Sequence, residues 1–188
     1  MDGKIVSLRP LEPTDAELLW DSIGDDEATW RWVGMSPKRV QSLADLQQEI
    51  AGLLAMANAE FFVIQDKHSG KLIGSTAFLD IRPQDRHLEI GHTFLAPAFR
   101  GGKRNVEAKF LLLTEAFENR AAVRVTIKAN ALNVASRHAI EKIGARFEGL
   151  LRNQRLERDG TWRTAAYYSV ILEEWPETKD RLTKLLSD

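Results

Sequence analysis

The segment FRGGKRNVEAKF, Phe99 to Phe110, places two glycines and three cations, Arg100, Lys103 and Arg104, just ahead of residues with helical spacing. A Gly-rich turn lets backbone approach a ligand closely, and a helix start presents unpaired N–H groups at the positive end of its dipole. Both features suit a phosphate. A short basic glycine turn also serves as a plain solvated connection, and glycines alone do not separate the two readings. The absence of cysteine excludes a thiolate nucleophile, a thiolate zinc site and a disulfide framework. The four histidines show no spacing with carboxylates that would hold a metal.

Any anion site must be local, because 26 Lys and Arg against 27 Asp and Glu leave a net charge of -1. No general field therefore favours nucleic acid or an anionic membrane as partner. At 188 residues, 44% hydrophobic and 28% charged, the chain is expected to bury a core as one domain over residues 1–188. The N-terminus MDGKIVSLRP lacks the apolar core of a signal peptide, and no apolar run reaches membrane-spanning length. A cytoplasmic protein is expected.

The elements that must position the turn follow from apolar periodicity. IVSLRP alternates as a strand, and EPTDAELLW opens a helix with Thr14 as its cap. A second helix is predicted from Ser42 to Ala57, with Ser42 and Asp45 at cap spacing. EFFVIQDKHSGKLIGSTAFLDI reads as two strands around a turn at Ser69 and Gly70, and RHLEIGHTFLAP alternates until Pro97. Beyond the basic turn, Val106, Phe110, Leu113 and Phe117 mark a helix buried against a sheet. AAVRVTIKA is a strand, and NVASRHAIEKIGA a helix with Asn133 at the N-cap and Gly144 in the C′ place. Two long strands across an Asp159-Gly160 turn and a closing helix, EWPETKDRLTKLL, complete the chain. A meander, then strand, helix, strand, helix and hairpin predict an α/β (α+β) fold, a mixed sheet with helices on both faces.

The order LEIGHTFLAPAFRGGKRNVEAKFLLLTEAF, then IKANALNVASRHAIEKIGARFEGLLRN, then DGTW and YYSVILEEWP resembles the GCN5-related N-acetyltransferase (GNAT) family over nearly the whole chain. The resemblance is to the branch of the ribosomal-protein N-terminal acetyltransferases RimJ and RimL. It implies a mostly antiparallel seven-stranded sheet, splayed between its fourth and fifth strands, and an acetyl-CoA-dependent transferase acting on a primary amine. It also implies that Arg100, Gly101, Gly102, Lys103, Arg104 and Asn105 wrap the CoA pyrophosphate with successive backbone N–H groups. Phe94 and Leu95 would offer their backbone to the pantetheine arm as one strand does to another. Asn133 and Ser136 align with the N-x-x-S helix that contacts CoA, and both equally suit plain helix capping. The turn departs from the family's Q/R-x-x-G-x-G/A pattern. Arg100 matches its first place, whereas Lys103 and Asn105 hold the glycine places. Gly101 and Gly102 are expected to shift the turn by a residue, and Lys103 to supply by side-chain charge what a glycine backbone would supply by close approach.

Acetylating an amine requires a neutral amine, a polarised thioester carbonyl and a proton for the leaving thiolate. Glu89, placed on the strand face opposite Leu88, Ile90 and Phe94, is the base candidate, since the family often carries a carboxylate there. His92 is the second, by its near-neutral intrinsic pKa. Either also suits a merely solvated or paired strand residue. His68, His87 and His138 read as turn and surface residues. Many relatives carry a tyrosine as thiolate acid where Ile140 stands. Tyr167 and Tyr168 lie on the last strand facing opposite sides, so one at most reaches the cleft. Tyr168 is the candidate, with solvent the alternative proton source. In DDEATWRWVGM, Trp30 and Trp32 could wall an acceptor site and Asp25, Asp26 and Glu27 attract a cationic amine, or the tryptophans could pack inward. The expected partners are acetyl-CoA and an amine acceptor, foremost a protein or peptide N-terminus, with a homodimer compatible. A small amine such as an antibiotic or polyamine is the alternative acceptor, and a silent acyl-CoA-binding module the alternative function. No metal, nucleic acid or membrane partner is expected.

Overall fold

Alternating apolar segments form one sheet in the order β1-β2-β3-β4-β5-β7-β6 in the computed structural model, which describes residues 1–33, 40–157 and 160–187. The strands are β1 Val6–Pro10, β2 Glu60–Asp66, β3 Leu72–Arg82, β4 His87–Leu95, β5 Arg124–Asn130, β6 Arg146–Leu156 and β7 Trp162–Ile171. Every neighbouring pair is antiparallel except β4 and β5. Asp159 of the expected last turn and Gly34 and Met35 of the tryptophan segment lie outside the described residues.

Helices cover both faces. On one, α1 Asp15–Ile23, α2 Glu27–Trp30 and α3 Leu43–Leu54 bury Leu19, Trp30 and Ile50 against Val63, Ala77 and Phe94. On the other, α4 Arg104–Thr114, α5 Val134–Lys142 and α6 Trp175–Ser187 bury Leu112, Ile140 and Leu182 against Ile64, Ile90 and Val125. Local caps set the helix starts. Ser42 Oγ accepts from the Asp45 N–H at 3.2 Å and donates to its carboxylate at 2.8 Å, and Asn133 Oδ1 accepts from the Ser136 N–H at 3.0 Å. Thr14 makes no such bond. Asp15 Oδ2 accepts from the Glu12 N–H at 2.8 Å while its carboxylate grips Arg9, so the acid fastens the approach to the helix and the expected hydroxyl cap is not formed. The buried carboxylate of Glu107 on α4 accepts from the N–H groups of Lys4, Ile5 and Val6 at 2.9, 2.6 and 2.6 Å, fastening the first strand to this helix. The expected helix through Phe117 ends in a π-helical turn, Glu115–Asn119.

Two irregularities in β4 shape everything that follows. Ala77 faces Gly91 and Ser75 faces Phe94, so β4 advances three residues while β3 advances two, and His92 takes φ 47 at this bulge. The extra residue exchanges the two faces. Phe94 therefore joins Ala77 and Leu79 in the α1–α3 core on the face of Glu89, which corrects the expectation that the two lie opposite. Second, β4 and β5 pair only from His87 with Arg124 to Ile90 with Ile127. Beyond Ile90 one strand follows β3 and the other β7, so the sheet opens in a V.

Candidate active site at the splayed strands

A cleft of about 490 Å³ occupies this V. β4 contributes Ile90 to Leu95, β5 contributes Ile127 and Lys128, and α5 contributes Ser136 and Ile140 with Asn133 at its cap. Asn105 and Lys109, four residues apart on one face of α4, form another wall with Arg100 and Gly101, while Thr29, Trp32 and Val33 close it from the α2 side. The cap position of Asn133 and the cleft position of its side chain coexist.

The basic turn prepares backbone rather than side-chain charge. Gly101 and Gly102 adopt φ 78 and 59, and a Cβ at either would meet nothing within 4 Å, so backbone conformation alone calls for glycine. Lys103 in the cap position makes no side-chain cap, leaving the first N–H groups of α4 without a capping acceptor. The three cations have other partners. Arg100 Nη2 donates to Asp26 Oδ2 at 2.8 Å and to Thr29 Oγ1, and its Nε donates to the Leu95 carbonyl at 3.0 Å. Arg104 Nε donates to Asp66 Oδ1 at 2.7 Å. Lys103 Nζ donates to the Leu186 carbonyl at 2.9 Å, so its charge complements the C-terminal end of α6 instead of reinforcing the turn.

Glu89 is buried beside the cleft wall, and its carboxylate lies 2.5 Å from Lys128 Nζ. Burial raises its pKa, an effect that Lys128 opposes. His92 lines the cleft with its ring edge-on to Phe61 at 5.5 Å and Phe94 at 5.8 Å. Tyr168 does not line it. Fully buried under α5, its hydroxyl donates to Glu141 and accepts from Arg137, each at 2.9 Å, which corrects its place among the cleft candidates. Tyr167 takes the opposite face with its ring 4.9 Å from Lys128 Nζ. The two tryptophans divide as well: Trp30 packs inward on Phe94 and donates to the Gly24 carbonyl, whereas Trp32 faces the cleft. Asp26 caps α2 and binds Arg100, which assigns it a structural task. His87 is buried rather than at the surface. Its ring nitrogens meet Arg82 Nη2 at 2.7 Å and Thr126 Oγ1 at 2.9 Å, and burial lowers its pKa.

Lys109 and Thr93 escaped the sequence reading. The only trace of Lys109 is its cation inside the apolar run AKFLLL, four positions after Asn105. Among the described residues no group of three or more His, Asp or Glu side chains could hold a metal, and no helix is long and apolar enough to cross a membrane.

The family description "Acetyltransferase (GNAT) domain" matches residues 6–146. The chain belongs to the GNAT acetyltransferases. It is 29% identical to the "Putative ribosomal N-acetyltransferase YdaF" of Bacillus subtilis (strain 168), over 93% of this chain and 95% of that protein. Among solved structures, a "putative acetyltransferase" from T. thermophilus superposes with a TM-score of 0.91 at 33% identity, covering 99% of this chain and 96% of that one. Mycobacterium smegmatis RimJ in complex with CoA-disulfide superposes at 0.80 with 26% identity, covering 95% and 88%. GNAT enzymes take their acetyl group from acetyl-CoA, and this chain's residues fit that donor. The V leaves the β4 edge beyond Ile90 without a neighbouring strand on the β5 side, and the uncapped start of α4 lies beside the same cleft.

Proposed function

We propose that this GNAT enzyme acetylates the N-terminal α-amine of a protein or peptide. The observation that carries the reading is the open β4 edge next to the uncapped α4 start, with Trp32 and Val33 walling the cleft from the α2 side. The ribosomal N-acetyltransferase and RimJ names of its relatives favour a protein acceptor over a small amine.

In this reading the backbone of Phe94 and Leu95 holds the pantetheine arm by strand-like hydrogen bonds. The N–H groups of Gly101, Gly102, Lys103, Arg104 and Asn105 hold the pyrophosphate, and the α4 dipole favours its charge. Arg100, at the cleft wall, steadies the turn through Asp26, Thr29 and the Leu95 carbonyl. Asn133 and Ser136 use the hydrogen-bonding capacity left over from capping on the same ligand. Glu89 takes the proton from the acceptor's ammonium, directly or through water, and Lys128 opposes the burial that favours its protonated form. His92 is the reserve base.

Incubating the protein with labelled acetyl-CoA and separate pools of free-amino-terminal peptides and small amines tests the reading. Label should enter peptide N-termini. Label confined to small amines would overturn the acceptor assignment, and acetyl-CoA binding without transfer to either pool would make the protein a silent binding module.

A further inference from the structure

Lys109 is a buried amine at the splay. Its Nζ donates to Thr93 Oγ1 at 2.6 Å, and that hydroxyl lies 2.8 Å from Thr76 Oγ1 and donates to the Gly91 carbonyl at 3.2 Å. The partner of the ammonium is thus a hydroxyl, not a carboxylate. Both Lys109 and Thr93 line the cleft, and Thr93 belongs to the stretch of β4 that has left β5. An ionisable amine in a hydrophobic wall is costly to keep, so a fold that retains one beside its reaction cleft invites a chemical explanation. Ile140 on the facing helix is apolar and supplies no proton to the leaving group.

We propose that Lys109 returns the proton to the departing CoA thiolate through the hydroxyl of Thr93. As the acceptor nitrogen forms its bond to the acetyl carbon, the C–S bond breaks and its electron pair stays on sulfur. Thr93 gives its hydroxyl proton to that sulfur while Lys109 gives one to the Thr93 oxygen, leaving a neutral amine that solvent reprotonates before the next turnover. The proton lost by the acceptor leaves separately by the base. Burial lowers the Lys109 pKa to about 7, below that of an ordinary thiol near 8.5, so transfer to the thiolate runs downhill while the ammonium is still populated at neutral pH. The other titratable or charged side chains lining the cleft are His92 from β4, Lys128 from β5 and Arg100 from the turn; α2 and α5 bring none among the described residues, and β3 presents only Thr76.

The proposal rests on the acetyl-transfer reading, so its test has an arm without acceptor. With CoA alone, the bound thiolate is followed by its ultraviolet absorbance and the Lys109 ammonium by the nuclear magnetic resonance of its side chain across one pH series. The ammonium should lose its proton at lower pH than the sulfur, as downhill transfer requires, and its signal should be absent from Lys109→Met. A thiol that ionises before the ammonium overturns the proposal even if acetyl transfer is intact. In the turnover arm, with acetyl-CoA and the peptide pool, Lys109→Met and Thr93→Val should each lose about 10²-fold in kcat and lose the alkaline fall of kcat above about pH 7, while Thr93→Ser keeps both. An alkaline limb that persists in Lys109→Met but vanishes in His92→Gln overturns the assignment in favour of histidine. Methionine matches lysine in length without its charge, and a melting curve for each variant confirms folding. A wild-type protein whose ammonium titrates below the bound thiol yet transfers to no amine would defeat the acetyl-transfer reading alone.

Discussion

Arg100 Nη2 stands 2.8 Å from Asp26 Oδ2 across 74 positions of the chain, and the same carboxylate oxygen accepts the Thr29 N–H at 2.7 Å. One carboxylate thus caps α2 and ties it to the glycine turn. The donor side of the cleft and its α2 wall are consequently a single mechanical unit.

Asp26→Ala removes the cap and the tie together. Stability should fall by about 1 kcal/mol, the usual scale of a lost N-cap, as read by urea unfolding. The acceptor KM should rise through movement of α2, while the CoA Kd measured by calorimetry should not weaken, because the Nε bond to the Leu95 carbonyl still holds Arg100 beside the turn. A CoA affinity that drops as much as acceptor affinity would show that the tie serves the turn instead.

CoA should raise the melting temperature far more than pantetheine without phosphates, since a ligand that prefers the folded state stabilises it in proportion to its affinity. Equal shifts would remove the pyrophosphate from the turn between Arg100 and Asn105. Because Lys103 reaches the Leu186 carbonyl, Lys103→Met should leave the salt dependence of CoA binding parallel to wild type. A shallower slope in the variant would restore Lys103 to the anion site.

Glu89 must be ionised to act as a base, so kcat should fall as pH drops through its raised pKa. Lys128 opposes that rise, and Lys128→Met should therefore move the acid limb to higher pH. Glu89→Gln should cost about 10²- to 10⁴-fold in kcat with CoA affinity kept. An acid limb unmoved in Lys128→Met would separate this carboxylate from the rate-limiting chemistry.

Lys109 also leaves a signature in stability. Its pKa is about 7 when folded, against 10.5 for an ordinary lysine. Below about pH 7 both states carry the proton and the folded state bears the full cost of burying it. From about 7 to 10.5 the unfolded chain holds the proton more tightly, so stability rises with pH through that window. Lys109→Met should be more stable than wild type at pH 6, and that advantage should shrink by a few kcal/mol towards pH 10, at about 1.36 kcal/mol for each pH unit crossed. A constant difference in denaturant midpoints across the window would contradict the burial of a charged amine.

What the sequence disclosed was local. Ser42 with Asp45, Asn133 with Ser136 and Gly144 at its positive φ of 99 are set within a turn or two of chain, and each appears where spacing puts it. The β4 bulge was hidden because it is defined by β3: only the pairing of Ala77 with Gly91 and Ser75 with Phe94 reveals the extra residue. Strict alternation consequently assigned Phe94 to the wrong face. The cations of the turn were visible but their partners were not, since Asp26, Asp66 and Leu186 are distant in sequence. Tyr168 failed for a related reason. Alternation separates it from Tyr167 but does not say which face α5 covers.

Glu107 holds the amides of Lys4, Ile5 and Val6 from as many as 103 positions downstream. During synthesis, at about 5–20 residues per second, the first strand therefore waits several seconds before the carboxylate that completes it has even been made. The chain's beginning cannot mature until its middle has left the ribosome, and α4 must close a loop of that length before either end of the contact is rewarded. A nascent chain arrested before Glu107 should expose its first residues to proteases, and one released beyond α4 should not.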